Sequence, residues 1–364
     1  MDILKPPIIY IDGRCYRQNP VQRPAEWAEP DDEEMEGYGE EYDEYQTEES
    51  CDFLDIKQTD KGYSLTMEVP SGFFGYIIGK QGETRKRIER ETKTRILIPN
   101  KAQKEEDEIV IRGEQRPGII SAKTRIDVIV SSARQKTPFT HLLTMPFNSQ
   151  PTQERFQDFK EDVLRGSRRD EGLHESLFQK PAKLHLTVGT MVLMSKKEVA
   201  QAKELLEKCK EEIIKPILGE SFLLVKLKGL EYMNDEPEKV DVLYGKAKMK
   251  DGSNKLQLIC DSLVDRFVSA GLMQRDYDRV KIHVTLINTL FRKEPDAEDG
   301  SKRVKGRREG GAERVREAFD ATRILNEFPD YSFGDCLISS VQISQRGSYG
   351  CDGYYLQVGS ISLP

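Results

Sequence analysis

Residues 183–190 read KLHLTVGT, and residues 281–288 read KIHVTLIN. Both share one frame: Lys, apolar, His, apolar, Thr, apolar. The 364-residue chain has only four histidines, and two of them fall in this frame. In a strand the side chains alternate. His185 and Thr187 therefore face one way, while Leu184, Leu186 and Val188 face the other. The same holds for His283 and Thr285 against Ile282, Val284 and Leu286. A fold that accepts both stretches needs two half-buried strands, each with a packed face and an imidazole–hydroxyl face, and a weak internal repeat to set them in matching places.

The surroundings support a duplicated α+β pattern. FTHLLTMPFN reads as a strand, followed by a helix with Phe156, Phe159 and Val163 on one face. Ser195 and Glu198 form a capping box that opens a helix running through Ile214, with Gly219 as its stop. SFLLVKLKGLEYM and KVDVLYGKAKM are strands, NKLQLICDSLVDRFVSAGL is an amphipathic helix, and the second histidine strand follows. The chain ends in a hairpin, CLISSVQISQRGSYGCDGYYLQVGSISL. No carboxylate cluster or third ligand accompanies the histidines for a metal, and there is no nucleophile elbow.

From Pro138 to Pro364 this pattern resembles the 2H phosphoesterases, a family defined by paired H-x-T motifs. The resemblance implies two lobes facing across a groove, with the motif side chains around one phosphate. His185, Thr187, His283 and Thr285 are then the candidate catalytic residues. Such enzymes open 2′,3′-cyclic phosphates or cleave short RNA ends, with no metal and no cofactor. One neutral imidazole would take a proton from the attacking group and one protonated imidazole would give a proton to the leaving oxygen. The hydroxyls would hold the phosphate charge. Which histidine plays which part stays open. His141, in the first strand, is expected at the groove border, in the core or at an edge, and His174 at the surface.

Ahead of this region, Gly62–Gln135 reads β-α-α-β-β-α. YSLTMEVP is a strand, FFGYIIGK a helical turn, ETRKRIERETK a charged helix, RILIP and EIVIRG two strands, and PGIISAKTRIDVIVSSAR a long helix. Between the first two helices lies Gly79-Lys80-Gln81-Gly82. Two glycines let a sugar–phosphate backbone approach the main chain, and the N–H groups at the start of the following helix favour an anion. Lys80–Arg95 holds seven basic and three acidic residues. With I-I-G-K-x-G intact, the unit resembles a type I KH domain. That resemblance implies a clamp on about four single-stranded nucleotides, with Gly79, Lys80, Gln81, Gly82, Arg85 and Lys86 as candidate RNA-binding residues.

Charge divides the chain. Glu26–Ile56 holds fifteen acidic residues and no Lys or Arg, so the net −7 of the whole becomes +8 for the rest. A basic body suits a polyanionic partner. No apolar run approaches the roughly 18–20 residues that span a bilayer, so no membrane partner is expected. The first residues, MDILKPPIIYIDG, lack the pattern of a signal peptide. The six cysteines show no CxxC spacing, which fits an intracellular, reducing setting. The expected organisation is a short partner-binding segment (1–25) carrying a strand–DG–strand hairpin, an acidic disordered linker (26–58), a KH domain (59–136) and a 2H phosphoesterase domain (137–364). SKRVKGRREGGAERVR, residues 301–316, is open to three readings: a mobile basic flap, a nuclear import signal or a solvated loop.

The pairing of the two domains behind an acidic tail, with KLHLTVG, LEYMNDEPEKVDVLYGKAKMKDGSN and NTLFRKEPDAE, resembles the KH-and-2H subunits of activating signal cointegrator complexes. This resemblance implies a nuclear location, a helicase-containing complex as partner, and roles in transcriptional coactivation and alkylated-DNA repair. Two functions are then in play: an enzyme acting on RNA or single-stranded DNA held by the KH unit, and a non-catalytic adaptor whose 2H groove only binds nucleotide or RNA.

Overall fold

The computed structural model describes residues 8–11, 14–17, 54–99, 107–166, 172–233, 235–275, 277–292 and 316–364. Most of the acidic linker and of the NKAQKEED loop after RILIP, and nearly all of the basic loop 301–316, lie outside these residues. The chain divides into two compact units, Met1–Lys136 and Thr137–Pro364.

In the first unit, β1 (Ile8–Ile11) and β2 (Arg14–Arg17) pair antiparallel, with Ile11 opposite Arg14. That register leaves two residues between the strands, the spacing of the DG hairpin read from the sequence. Farther on come β3 (Lys57–Thr59), β4 (Gly62–Glu68), α1 (Phe74–Ile78), α2 (Glu83–Thr92), β5 (Thr94–Leu97), β6 (Glu108–Gly113) and α3 (Arg116–Lys136). The sheet order is β3-β4-β6-β5, all antiparallel. Strand β3 starts inside the stretch read as linker, at Lys57, and pairs with β4. Its exposed residues carry no hydrophobic alternation, so no pattern marked it. The three helices cover one face, where Phe73, Ile77, Ile88, Ile111, Ile119 and Ile126 are buried.

The second unit contains β7 (His141–Pro146), α4 (Gln150–Gly166), β8 (His185–Met191), α5 (Lys196–Cys209), α6 (Lys215–Leu218), β9 (Leu224–Tyr232), β10 (Val242–Met249), α7 (Lys255–Ser269), β11 (His283–Asn288), α8 (Thr322–Glu327), β12 (Ser332–Leu337), β13 (Ser340–Tyr349) and β14 (Tyr355–Ser362). Ser195 caps α5 by accepting from the Glu198 N–H, and the Glu198 carboxylate accepts from the Met194 N–H. Between α5 and α6 the helix widens to a π turn over Lys210–Ile214. Pro216, two residues on, has no N–H to continue the α ladder. Gly219, at φ 60°, ends α6.

All strands of this unit join one antiparallel sheet in the order β12-β9-β10-β11-β8-β7-β13-β14. The halves β12-β9-β10-β11 and β8-β7-β13-β14 meet at the two histidine strands. Their match extends to detail: each half has a register shift at a Leu on the neighbouring strand, Leu243/Tyr244 and Leu143/Thr144. Across the seam, β11 and β8 share a single paired position, Val284 with Leu186. Beyond it, Phe178 bridges to Ile287, and Gln179 donates its N–H to the Leu286 carbonyl. Leu184, Leu186, Val284 and Leu286 are fully buried in one continuous core, each contributing roughly 1.5–3 kcal/mol. Apolar packing therefore holds the seam more than the backbone ladder does.

Candidate functional site

The seam determines where the motif side chains go. Val284 opposes Leu186, and both point into the core. In an antiparallel pair this sets His283 opposite Thr187 and Thr285 opposite His185. All four lie on the other face, and all four are half-buried. Alternation alone defines two separate His–Thr faces; the register joins them into a two-by-two array with the imidazoles on one diagonal and the hydroxyls on the other.

Each imidazole is oriented by its own strand. His185 Nδ1 lies 2.7 Å from the Lys183 carbonyl, and His283 Nδ1 lies 2.6 Å from the Lys281 carbonyl. A carbonyl can only accept, so Nδ1 carries the proton in both rings. Nε2 is left as the free lone pair in the neutral form. Burial pushes both imidazoles below their ordinary 6.5, outweighing the backbone hydrogen bonds that favour protonation. The His283 imidazole adds to the depression at His185, and the Lys281 ammonium adds to it at His283.

Two tyrosines that sequence reasoning missed complete the surroundings. The Tyr355 ring meets His185 edge-on at 5.3 Å between centroids, and the Tyr244 ring meets His283 edge-on at 5.3 Å. They do not occupy equivalent positions. Tyr244 lies on β10 opposite Thr285, and the matching residue on β7, opposite Thr187, is Thr144. Tyr355 instead reaches His185 from β14. Spacing from the histidines could not have marked either ring.

Beside Thr187 and His283 opens a cavity of about 170 Å³, walled by Val264, Met273, Tyr277 and Arg279. Gly189 lies on its floor, where a Cβ would come to 2.5 Å from Met273 Sδ and displace that side chain. Asp261 on α7 accepts from the Val280 N–H at 2.9 Å, and Gln257 donates to the Val280 carbonyl at 2.9 Å, fixing the approach to His283. The remaining histidines stand apart from the array. His141 is buried, with Nδ1 2.8 Å from Thr140 Oγ1, and His174 accepts from the Ser176 N–H at the surface.

In the first unit, α1 stops at Gly79 (φ 71°, ψ 178°), Gln81 takes φ 54°, and Gly82 takes φ 79° as it opens α2. Thr84 packs beneath Gly79, where a Cβ would lie 2.7 Å from Thr84 Cβ. Lys80, Gln81 and Lys86 lie on the loop and first turn, with Lys80 and Gln81 exposed. Arg85 is half-buried, and its Nε, buried, makes no hydrogen bond.

A model of the AKAP7 2′5′ RNA ligase-like domain matches residues 139–363, and a KH-domain model matches residues 64–128. Over 371 aligned residues the chain is 43% identical to activating signal cointegrator 1 complex subunit 1 of Mus musculus, covering 100% of both proteins. The chain belongs to the activating signal cointegrator 1 complex subunit 1 family. This family member joins a KH domain to a 2H phosphoesterase-like domain. It is also similar to the first type I KH domain of human vigilin, at 28% identity and TM-score 0.19 over 21% of this chain and 78% of that one. A phosphoesterase crystal structure matches 62% of the chain and 99% of its own length, at 12% identity and TM-score 0.33.

Proposed function

We propose that this protein holds single-stranded RNA on its KH loop and acts on a phosphodiester or 2′,3′-cyclic phosphate at the His–Thr array. The observation that carries this reading is the single register pair Val284–Leu186, which assembles both H-x-T motifs on one face. A phosphate seated there would meet two imidazole Nε2 atoms and two threonine hydroxyls. In opening a cyclic phosphate, neutral Nε2 of one histidine takes a proton from water as the new P–O bond forms. The other histidine, protonated, donates to the ribose oxygen as its P–O bond breaks. Thr187 and Thr285 donate to the non-bridging oxygens, whose charge grows in the transition state. The test is turnover of 2′,3′-cyclic phosphates and short RNA ends that disappears on substitution of His185 or His283. Binding of the same ligands without such turnover would leave the adaptor reading in its place.

The depressed imidazoles set a pH expectation. The reaction needs one protonated and one neutral histidine, and both groups lie below 6.5 in the free protein. The doubly neutral form therefore dominates at pH 7 and above. We expect kcat/KM to peak below pH 6.5 and to fall about tenfold per unit on the alkaline side. A maximum at pH 7.5 or higher would exclude this acid–base pairing.

For the KH loop, Lys80→Asp with Gln81→Asp places two carboxylates where a nucleic-acid backbone would pass. Affinity for single-stranded RNA is expected to fall at least about tenfold, and the slope of log K against log salt to flatten by roughly 0.7 for each phosphate no longer neutralised. Equal affinity and equal slope would remove RNA clamping from this unit. The same comparison with single-stranded DNA decides whether it too is a ligand. The relative's name, a complex subunit, supports a place for this chain in a multi-subunit assembly; we propose that this assembly is nuclear, contains a helicase and serves transcription and DNA repair.

A further inference from the structure

The lysine that opens each copy of the frame is not absorbed by the acid–base pair. Lys183 is 9% exposed and Lys281 is exposed. Each ammonium lies against the tyrosine that its own histidine touches. Lys183 Nζ is 3.2 Å from the Tyr349 ring centroid and 5.4 Å from that of Tyr355; Lys281 Nζ is 4.8 Å from that of Tyr244. Neither has a carboxylate within ion-pair distance among the described residues. Lys183, buried on aromatic faces, is short of an anionic partner, and exposed Lys281 is open to one.

Their placement is directional. Lys183 and His185 both touch Tyr355, and Lys281 and His283 both touch Tyr244, so each lysine shares the face of its histidine. The strands are antiparallel, so Lys183 lies beyond the His185 end of the array and Lys281 beyond the His283 end. The two cations therefore lie beyond the array on opposite sides.

We infer that the groove takes an internal stretch of a polynucleotide strand, with the scissile phosphate on the four H-x-T side chains and flanking phosphates on Lys183 and Lys281. This inference rests on the phosphoesterase reading and adds the substrate class. A nucleoside 2′,3′-cyclic phosphate would fill the array and leave both lysines unmet; a strand of at least three phosphates meets them all. Tyr349, which covers Lys183, is 54% exposed next to the bulged end of the β13–β14 hairpin. Turning that ring outward would uncover the ammonium.

The experiment uses the full chain carrying Lys80→Asp and Gln81→Asp, so that the KH loop does not report. A uridine hexanucleotide is compared with uridine 2′,3′-cyclic phosphate, for binding and turnover, with Lys281→Met and Lys183→Met. Methionine keeps an unbranched apolar stem against the rings, and exposed Lys281 serves if Lys183→Met does not fold. Each substitution is expected to weaken the hexanucleotide about three- to tenfold more than the mononucleotide and to lower its salt slope by roughly 0.7. With a hexanucleotide whose flanking linkages are neutral methylphosphonates, the lysine substitutions should cost little more, the non-additivity of partners in one interaction. Equal losses on both ligands, or none on either, overturn the inference alone. If neither ligand responds to substitution of His185 or His283, the phosphoesterase reading fails and takes the inference with it.

Discussion

Alanine at His185 or at His283 is expected to lower turnover by at least about 10²-fold, and by up to about 10⁴-fold, the range for a positioned acid or base. The fold should survive. The imidazoles lie on the half-buried face, while the packing of both strands comes from Leu184, Leu186, Val284 and Leu286 on the other. Circular dichroism and the urea midpoint should therefore stay near those of the unaltered protein as the rate collapses. The double substitution should cost little more than either single one, since an acid and a base acting in one step do not contribute independently. A single variant that keeps more than about a tenth of the rate would place the chemistry elsewhere.

Gly79→Ala is expected to abolish the KH loop as a single-strand clamp. Two effects combine. At φ 71° and ψ 178° the backbone lies in a region essentially reserved for glycine, at a cost of about 1–3 kcal/mol for any other residue. The added Cβ would also press into the Thr84 side chain, 2.7 Å from its Cβ. A thermal or urea midpoint should register the loss, and single-strand binding should fall with it. Thr84→Ala in the same chain should restore only a little of it, since it removes the nearest atom, Thr84 Oγ1, but keeps the Cβ contact and the backbone strain. Gly82→Ala is the control: φ is 79°, yet no atom lies within 4 Å of the new Cβ. Its cost is expected to be roughly 1–2 kcal/mol. Equal effects at the two glycines would contradict this geometry.

The sequence carried the architecture where local pattern and tertiary need agree. Alternation around His185 and His283 named the packed face of each strand, and Leu186 and Val284 occupy it. The Ser195–Glu198 cap, the two-residue spacing of the β1–β2 hairpin and the Gly79–Gly82 link between two helices follow from backbone chemistry that a sequence displays directly. Other features depend on pairings between distant segments. Nothing in KLHLTVGT or KIHVTLIN says that residue 186 meets residue 284, yet that one meeting turns two motifs into an array. Tyr355 reaches His185 from a strand some 170 residues away, and Tyr244 is one aromatic among fourteen tyrosines. Strand β12 pairs with β9 through a register shift at Gly334, which breaks the alternation that would have announced it. Strand β3 has no buried residue to give it a period.

The thin seam has a mechanical consequence. A broad antiparallel sheet is ordinarily stiffest at its middle, where strands are bonded on both sides along their length. Here the middle is joined by one residue pair between β8 and β11, with a short bridge from Phe178 and Gln179. The two imidazoles sit on strands from opposite halves of the sheet, and the spacing between them is set by the apolar side chains beneath the seam. A ligand that contacts both strands therefore bears on that spacing through the packed core rather than through a ladder of backbone hydrogen bonds.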